Sequence, residues 1–254
     1  MSEVTVTPID DGAYWRVTFS NGKGNILDRE TMTKLADVFR QAKASAPLKA
    51  ICLEGAGKHF SFGASVQEHL PDQVEQMLAT FRDLAFAMLD AGVVIIAAVR
   101  GQCLGGGLEV VTLCHRAIAG TDAMFAQPEI VLGVFAPVAS IALVDRVGRA
   151  NAEDLCLTGR TVDAGVAHGM GLVNAVSEHP ADAAIAWAKE SFDARSASSL
   201  RHAVRAVRAD LVARLHAELP KLEAQYLTEL MHTADAVEGL TAFMEKRTPA
   251  WRHA

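Results

Sequence analysis

The feature that most constrains this chain is an apolar run, Ala91 to Val99, that leads into Leu104-Gly105-Gly106-Gly107-Leu108-Glu109. The run is rich in β-branched residues, which favour a strand, and falls short of the roughly 18 apolar residues that suggest a membrane span. A strand apolar at nearly every position is buried on both faces, the habit of parallel sheets covered by helices. The glycines that follow remove Cβ and let a ligand approach the backbone closely. The helix after them opens with amides that lack internal partners and lie at the positive end of its dipole. Such a turn holds negative charge, permanent or developing. Tight packing of helix on strand is the plainer use of the same glycines.

Strand and helix alternate on either side of this point. Thr5–Thr7 and Tyr14–Phe19 read as strands around the turn Asp10-Asp11-Gly12. Asp28 suits a helix N-cap, Glu30 suits the first turn, and Met32, Leu35, Ala36 and Phe39 share one face. Ala50–Leu53 is a further strand, 65–90 a helical region interrupted at Pro71, and 108–115 the helix after the glycines. Ala117–Gly120 and Met124–Ala126 are short strands. The layout is α/β with mostly parallel pairing. Beyond about residue 180 only helices are expected, over 181–193, 199–217, 220–232 and 234–246, with Pro220 and the Thr233/Asp235 region as breaks. The chain thus divides into a core, 1–190, and a helical tail, 191–254.

Two nucleotide-binding patterns can be set aside. A phosphate loop needs GxxxxGK[ST], and a dinucleotide fold needs GxGxxG after its first strand. Neither stands here, so the glycine loop fits the oxyanion of a carbonyl better than a phosphate. A second loop, Gly57-Lys58-His59-Phe60-Ser61-Phe62-Gly63-Ala64-Ser65, also joins a strand to a helix. Its Gly63 and Ala64 amides can face the Gly106 amide, and two converging donors are what a developing thioester enolate needs.

The strings FSFGAS, VRGQCLGGGLE, FAQPEI, CLTGRTVDAGVAHGMGLVNAV and TAFMEKRTPAW, in this order, resemble the crotonase (enoyl-CoA hydratase/isomerase) superfamily over nearly the whole chain. Agreement at five separated places is far more specific than any one motif. The resemblance implies a crotonase fold of repeated ββα units, with 191–254 as a helical region that assembles trimers or dimers of trimers. It implies an acyl-CoA substrate with no separate cofactor, because coenzyme A arrives as part of the substrate. By the same resemblance the oxyanion donors are the amides of Ala64 and Gly106. Phe62, Gly63, Ser65, Val66, Gly105 and Leu27 would then lie along the thioester.

In hydratases of that superfamily two glutamates hold and split a water molecule, one after the glycine loop and one in Q-P-E. Glu109 and Glu129 occupy those positions. Two carboxyl groups sharing a site do not readily both ionise, so an acid and a base stand together near neutral pH. Taken singly, Glu109 reads as a first-turn dipole partner and Glu129 as a surface acid. Together they favour addition or elimination of water. The segment HFSFGASVQEHLPDQVEQML further resembles the cyclohexa-1,5-diene-1-carbonyl-CoA hydratases of anaerobic benzoyl-CoA degradation. Pro137-Val138-Ala139-Ser140 departs from the superfamily's usual P-G-x-G-G, which implies a reshaped pocket floor. A general enoyl-CoA hydratase, an isomerase or hydrolase of the superfamily, and a non-catalytic scaffold stay open as alternatives.

The net charge of −6 leaves no whole-protein field to attract nucleic acid or anionic membranes. The N-terminus lacks the basic start and apolar stretch of a signal peptide, so a cytoplasmic location is expected. Cys52, Cys103, Cys114 and Cys156 form no CxxC pair and read as reduced thiols. The histidines show no ligand spacing, and no metal is expected. His59 and His69 flank the oxyanion loop as surface or lid residues. Arg201, Arg205 and Arg208 share a helix face at i, i+4, i+7, read as solvated, subunit-facing or in contact with the CoA phosphates. Lys23, Lys246 and Arg247 are weaker candidates for the same contact.

Overall fold

The computed structural model describes residues 1–254. Strands β1 (Glu3–Ile9) and β2 (Tyr14–Ser20) pair antiparallel across the 10–12 turn. Asp28 caps α1 (Arg29–Ala44), its carboxylate accepting from the Thr31 amide at 2.8 Å. Then come β3 (Ala50–Gly55), α2 (Val74–Asp90), β4 (Val94–Val99), β5 (Gln102–Leu104) and α3 (Gly106–Leu113). These are followed by β6 (Arg116–Ala119), β7 (Met124–Ala126), α4 (Pro137–Thr158), β8 (Val162–Asp163), α5 (Ala164–Gly169) and β9 (Ala175–Val176). Helices α6 (Pro180–Phe192), α7 (Ala197–Thr228) and α8 (Ala234–Met244) complete the chain.

The main sheet has the order β1-β2-β3-β4-β6-β9, parallel from β2 onward. A smaller sheet, β5-β7-β8, lies beside it. The β4-β5-α3 and β6-β7-α4 segments each give one strand to each sheet before their helix. That is the repeated ββα plan. The β3 unit follows it in reduced form: its second strand is the single bridge of Ser61 to Cys103.

Strand β4 is buried along its whole length, as its composition requires. Ile95, Ala97 and Val99 face the large core shared with α1–α4. Val94, Ile96 and Ala98 face Ala181, Ala184 and Ala188 of α6. Small residues on α6 let it lie close to the sheet. The sequence reading missed β5, β8 and β9, since strands this short carry no period to detect.

Two expectations for the tail are corrected. Pro220 does not break it, because α7 runs unbroken through that residue. Pro220 is solvent-exposed, so the carbonyl freed four residues earlier meets water. Leu219, Glu223 and Tyr226 on the adjoining face are buried, and that packing outweighs the cost of proline, about 3 kcal/mol. Arg201 and Arg208 are not solvated either, whereas Arg205 on the same face is exposed. Arg201 donates to the carbonyls of Ala42, Ala91 and Ser45. Arg208 donates to those of Leu113 and Cys114, at 2.5 and 2.8 Å. Arg247 is held by Glu238 and Glu245.

Arg208 and Arg146 thus satisfy the free carbonyls at the C-terminus of α3, where cations also suit the dipole. Arg208→Ala should lower unfolding stability by about 1–3 kcal/mol. A urea titration reads this as a lower midpoint with an unchanged slope.

Candidate active site

Two loops meet edge to edge above the sheets. The Ser61 amide donates to Gln102 O at 3.0 Å, and the Leu104 amide donates back to Ser61 O at 2.9 Å. Leu27 joins from the other side: its amide donates to Gly63 O at 2.9 Å and its carbonyl accepts from Ser65 at 3.3 Å. Asn25 ties the loop's base, its amide group donating to Ala56 O and His59 O. The Gly63 amide is consumed internally by Ser61 Oγ at 3.0 Å. The amide left over is that of Ala64. It lies beside Gly106, whose added Cβ would stand 3.1 Å from the Ala64 nitrogen. Gly106 is the first residue of α3, where an amide has no helical partner.

Both glycines before the helix are required by shape. Gly105 has φ 51° and ψ −125°, a conformation closed to ordinary side chains. A Cβ there would lie 2.6 Å from Glu129 Oε1. At Gly63, with φ 97°, a Cβ would lie 2.8 Å from Leu104 O.

Glu109 is buried on α3, and its Oε1 accepts from the Ala139 amide at 2.9 Å. That amide is in the first turn of α4, which Pro137 opens. The departure at Pro137-Val138-Ala139 therefore has a use: it presents free helix-end amides to a buried carboxylate. Glu129 lies in the 3₁₀ turn Pro128–Leu132 after β7, and its Oε1 accepts from Gln127 at 3.1 Å. Its Oε2 is buried without a partner in the chain.

Burial raises the Glu109 pKa from 4.5 to about 7, with the Ala139 and Val138 amides pulling the other way. Burial, then the charge of Glu109, raises that of Glu129 from 4.5 to about 8. The pair thus holds a proton between them near neutrality, and the amide on Glu109 favours its charged form while Glu129 Oε2 has no such donor. A raised carboxyl pKa means that the folded chain binds more protons than the unfolded one between pH 4.5 and 8. Stability should therefore fall as pH rises through that window. Glu109→Gln/Glu129→Gln should flatten the fall and raise the melting temperature at pH 8 relative to the unaltered protein.

Both carboxyls and the Ala64–Gly106 pair open on one cavity of about 300 Å³. Met77, Leu78, Phe81, Phe135 and Val138 give it apolar walls. Phe62, Gly63, Val66 and Gly105 line it as expected, whereas Ser65 and Leu27 do not. Those two shape the loop from behind. His69 lines the cavity, its Nδ1 2.8 Å from Ser65 O, and burial lowers its pKa. His59 is a brace, its Nδ1 accepting from Gln102 at 3.1 Å.

The sequence reading missed the wall supplied by the tail. Leu219, Glu223 and Tyr226 of α7 and Phe243 of α8 line this chain's own cavity. Arg82 of α2 pairs with the buried Glu223, joining the two helices that flank it. The i, i+4, i+7 spacing of Leu219, Glu223 and Tyr226 was a usable signal. It was hidden by treating Pro220 as a boundary.

A sequence profile of the enoyl-CoA hydratase/isomerase family matches residues 12–254. The chain is 48% identical to a cyclohexa-1,5-dienecarbonyl-CoA hydratase of Thauera aromatica, over 96% of this chain and 94% of that one. It is 30% identical to a 2,3-dehydroadipyl-CoA hydratase of Escherichia coli K12, over 90% of each. In three dimensions it resembles a crystal structure of a putative enoyl-CoA hydratase from Mycobacterium avium paratuberculosis, with a TM-score of 0.88 at 26% identity, covering 98% and 99% of the two chains. Motifs, fold and relatives agree, and the chain belongs to the enoyl-CoA hydratase/isomerase family.

Proposed function

We propose that this protein adds water to cyclohexa-1,5-diene-1-carbonyl-CoA, giving 6-hydroxycyclohex-1-ene-1-carbonyl-CoA, with Glu109 and Glu129 as the working pair. The observation that carries this is the buried Glu109 carboxyl and the buried Oε2 of Glu129 sharing one apolar cavity with the adjacent Ala64 and Gly106 amides. The ring preference is supported by the 48% identity to a hydratase of that name and by aromatic cavity walls from Phe81 and Phe135.

In this reading the thioester oxygen accepts from the Ala64 and Gly106 amides. Glu109, whose charged form the Ala139 amide favours, takes a proton from water as the oxygen bonds to the ring β-carbon. The displaced π electrons move onto the thioester oxygen, and the two amides hold the resulting dienolate. Glu129, whose Oε2 has no such donor, supplies the proton that the far end of the dienolate takes up. One water is consumed and no electrons leave the system. Coenzyme A enters only with the substrate, so no cofactor is called for. Assembly as a trimer or dimer of trimers through 191–254 is part of the same proposal and rests on the family to which the chain belongs.

The test is to incubate the protein with the cyclic dienoyl thioester and with crotonyl-CoA, and to follow product masses. Gain of one water on the cyclic substrate alone supports the reading. Rapid crotonyl-CoA hydration with no cyclic turnover contradicts the ring preference.

A further inference from the structure

One side chain of the cavity wall is chemically out of place. Tyr226 is 1% exposed and its ring packs on Phe135 with centroids 5.2 Å apart. Its hydroxyl is buried with no hydrogen-bonding partner in the protein. A buried tyrosine normally finds a partner for its O–H, and leaving one unpaired costs stability. Phenylalanine would fill the same space without that cost. A hydroxyl held at a cost beside a ligand cavity calls for a ligand atom.

Its surroundings say which kind of atom. Tyr226 lines the same cavity as Glu109 and Glu129. Burial, and after it the charges of Glu129 and Glu109, push its pKa upward, so it stays a neutral donor. Glu129 Oε2 is the other unpartnered buried atom of this cavity. An oxygen brought in by the reaction, as water and then as a ring hydroxyl, is a partner of the kind that each of them lacks.

We propose that the Tyr226 hydroxyl is a ligand-binding group of this site, donating a hydrogen bond to the oxygen that is added to or removed from the acyl group. This rests on the hydratase reading above. It makes Tyr226, from the helical tail, a residue that distinguishes hydroxylated thioesters from those without the hydroxyl.

The experiment compares Glu109→Gln with Glu109→Gln/Tyr226→Phe, so that slow chemistry permits direct calorimetric binding. The ligands are 6-hydroxycyclohex-1-ene-1-carbonyl-CoA and cyclohex-1-ene-1-carbonyl-CoA. The second change should weaken the hydroxylated ligand about tenfold and leave the other within twofold. In the otherwise unaltered protein, Tyr226→Phe should keep or raise the melting temperature, because it deletes an unpaired buried hydroxyl. Equal loss for both ligands, or none for either, overturns the proposal. If the unaltered protein binds neither thioester, the hydratase reading itself falls, and this one with it. A protein that binds both but ignores the Tyr226 change refutes only the role of Tyr226.

Discussion

Glu129→Gln should lower kcat for hydration by about 10²–10⁴ while thioester affinity changes little. In the proposed reading the affinity comes mainly from the apolar walls, the two amides and Tyr226. Glutamine keeps the shape of the side chain and the space beside Gly105, where any added Cβ would collide with Glu129. It cannot hold or release the proton. Glu109→Gln should produce a loss of similar size for the complementary reason. A neutral amide on the Ala139 nitrogen cannot accept the proton of water. Single-turnover mass analysis separates these losses from any change in binding.

Gly106→Ala should cost about 10²–10³ in kcat, in the range known for loss of one oxyanion donor. The new methyl would meet Phe81 Cε2 at 3.0 Å and the Ala64 nitrogen at 3.1 Å. It would stand beside both amides that the proposed reading assigns to the thioester oxygen. Glycine at this position does not depend on a positive φ, so the strain is confined to these two close contacts. The expected signature is a modest fall in melting temperature with kcat depressed far more than any loss of folded protein explains. A matching loss in Gly105→Ala would have two causes, because φ there is 51° and the methyl would strike the Glu129 carboxylate.

Much of this site was legible in the sequence because backbone chemistry announces itself. Glycines at 105–107 and 63 mark places where Cβ does not fit, and acids that follow such loops stand near the amides they free. The strand Val94–Val99 declared its two-sided burial by composition. What was not legible depended on tertiary packing. Pro137-Val138-Ala139 read as a departure from a pattern, whereas its amides hold Glu109. Ser65 follows Ala64 in sequence and Leu27 bridges to it in space, yet both support the loop from behind. Arg208 read as part of a solvated or subunit-facing side, or as a CoA phosphate contact, but its partners are carbonyls at the end of α3, far away in sequence. Tyr226 was concealed by Pro220, a helix breaker by propensity that one buried face keeps in register.

The central claim is that Glu109 and Glu129 share a proton near neutral pH. It is tested most directly by ¹³C NMR titration of the protein labelled at glutamate side-chain carboxyls, with Glu109→Gln and Glu129→Gln assigning the two signals. The account predicts two coupled transitions displaced to about 7 and about 8, with the transition of Glu129 moving down when Glu109 is made neutral. Both carboxyls titrating independently near the ordinary value of 4.5 would contradict it.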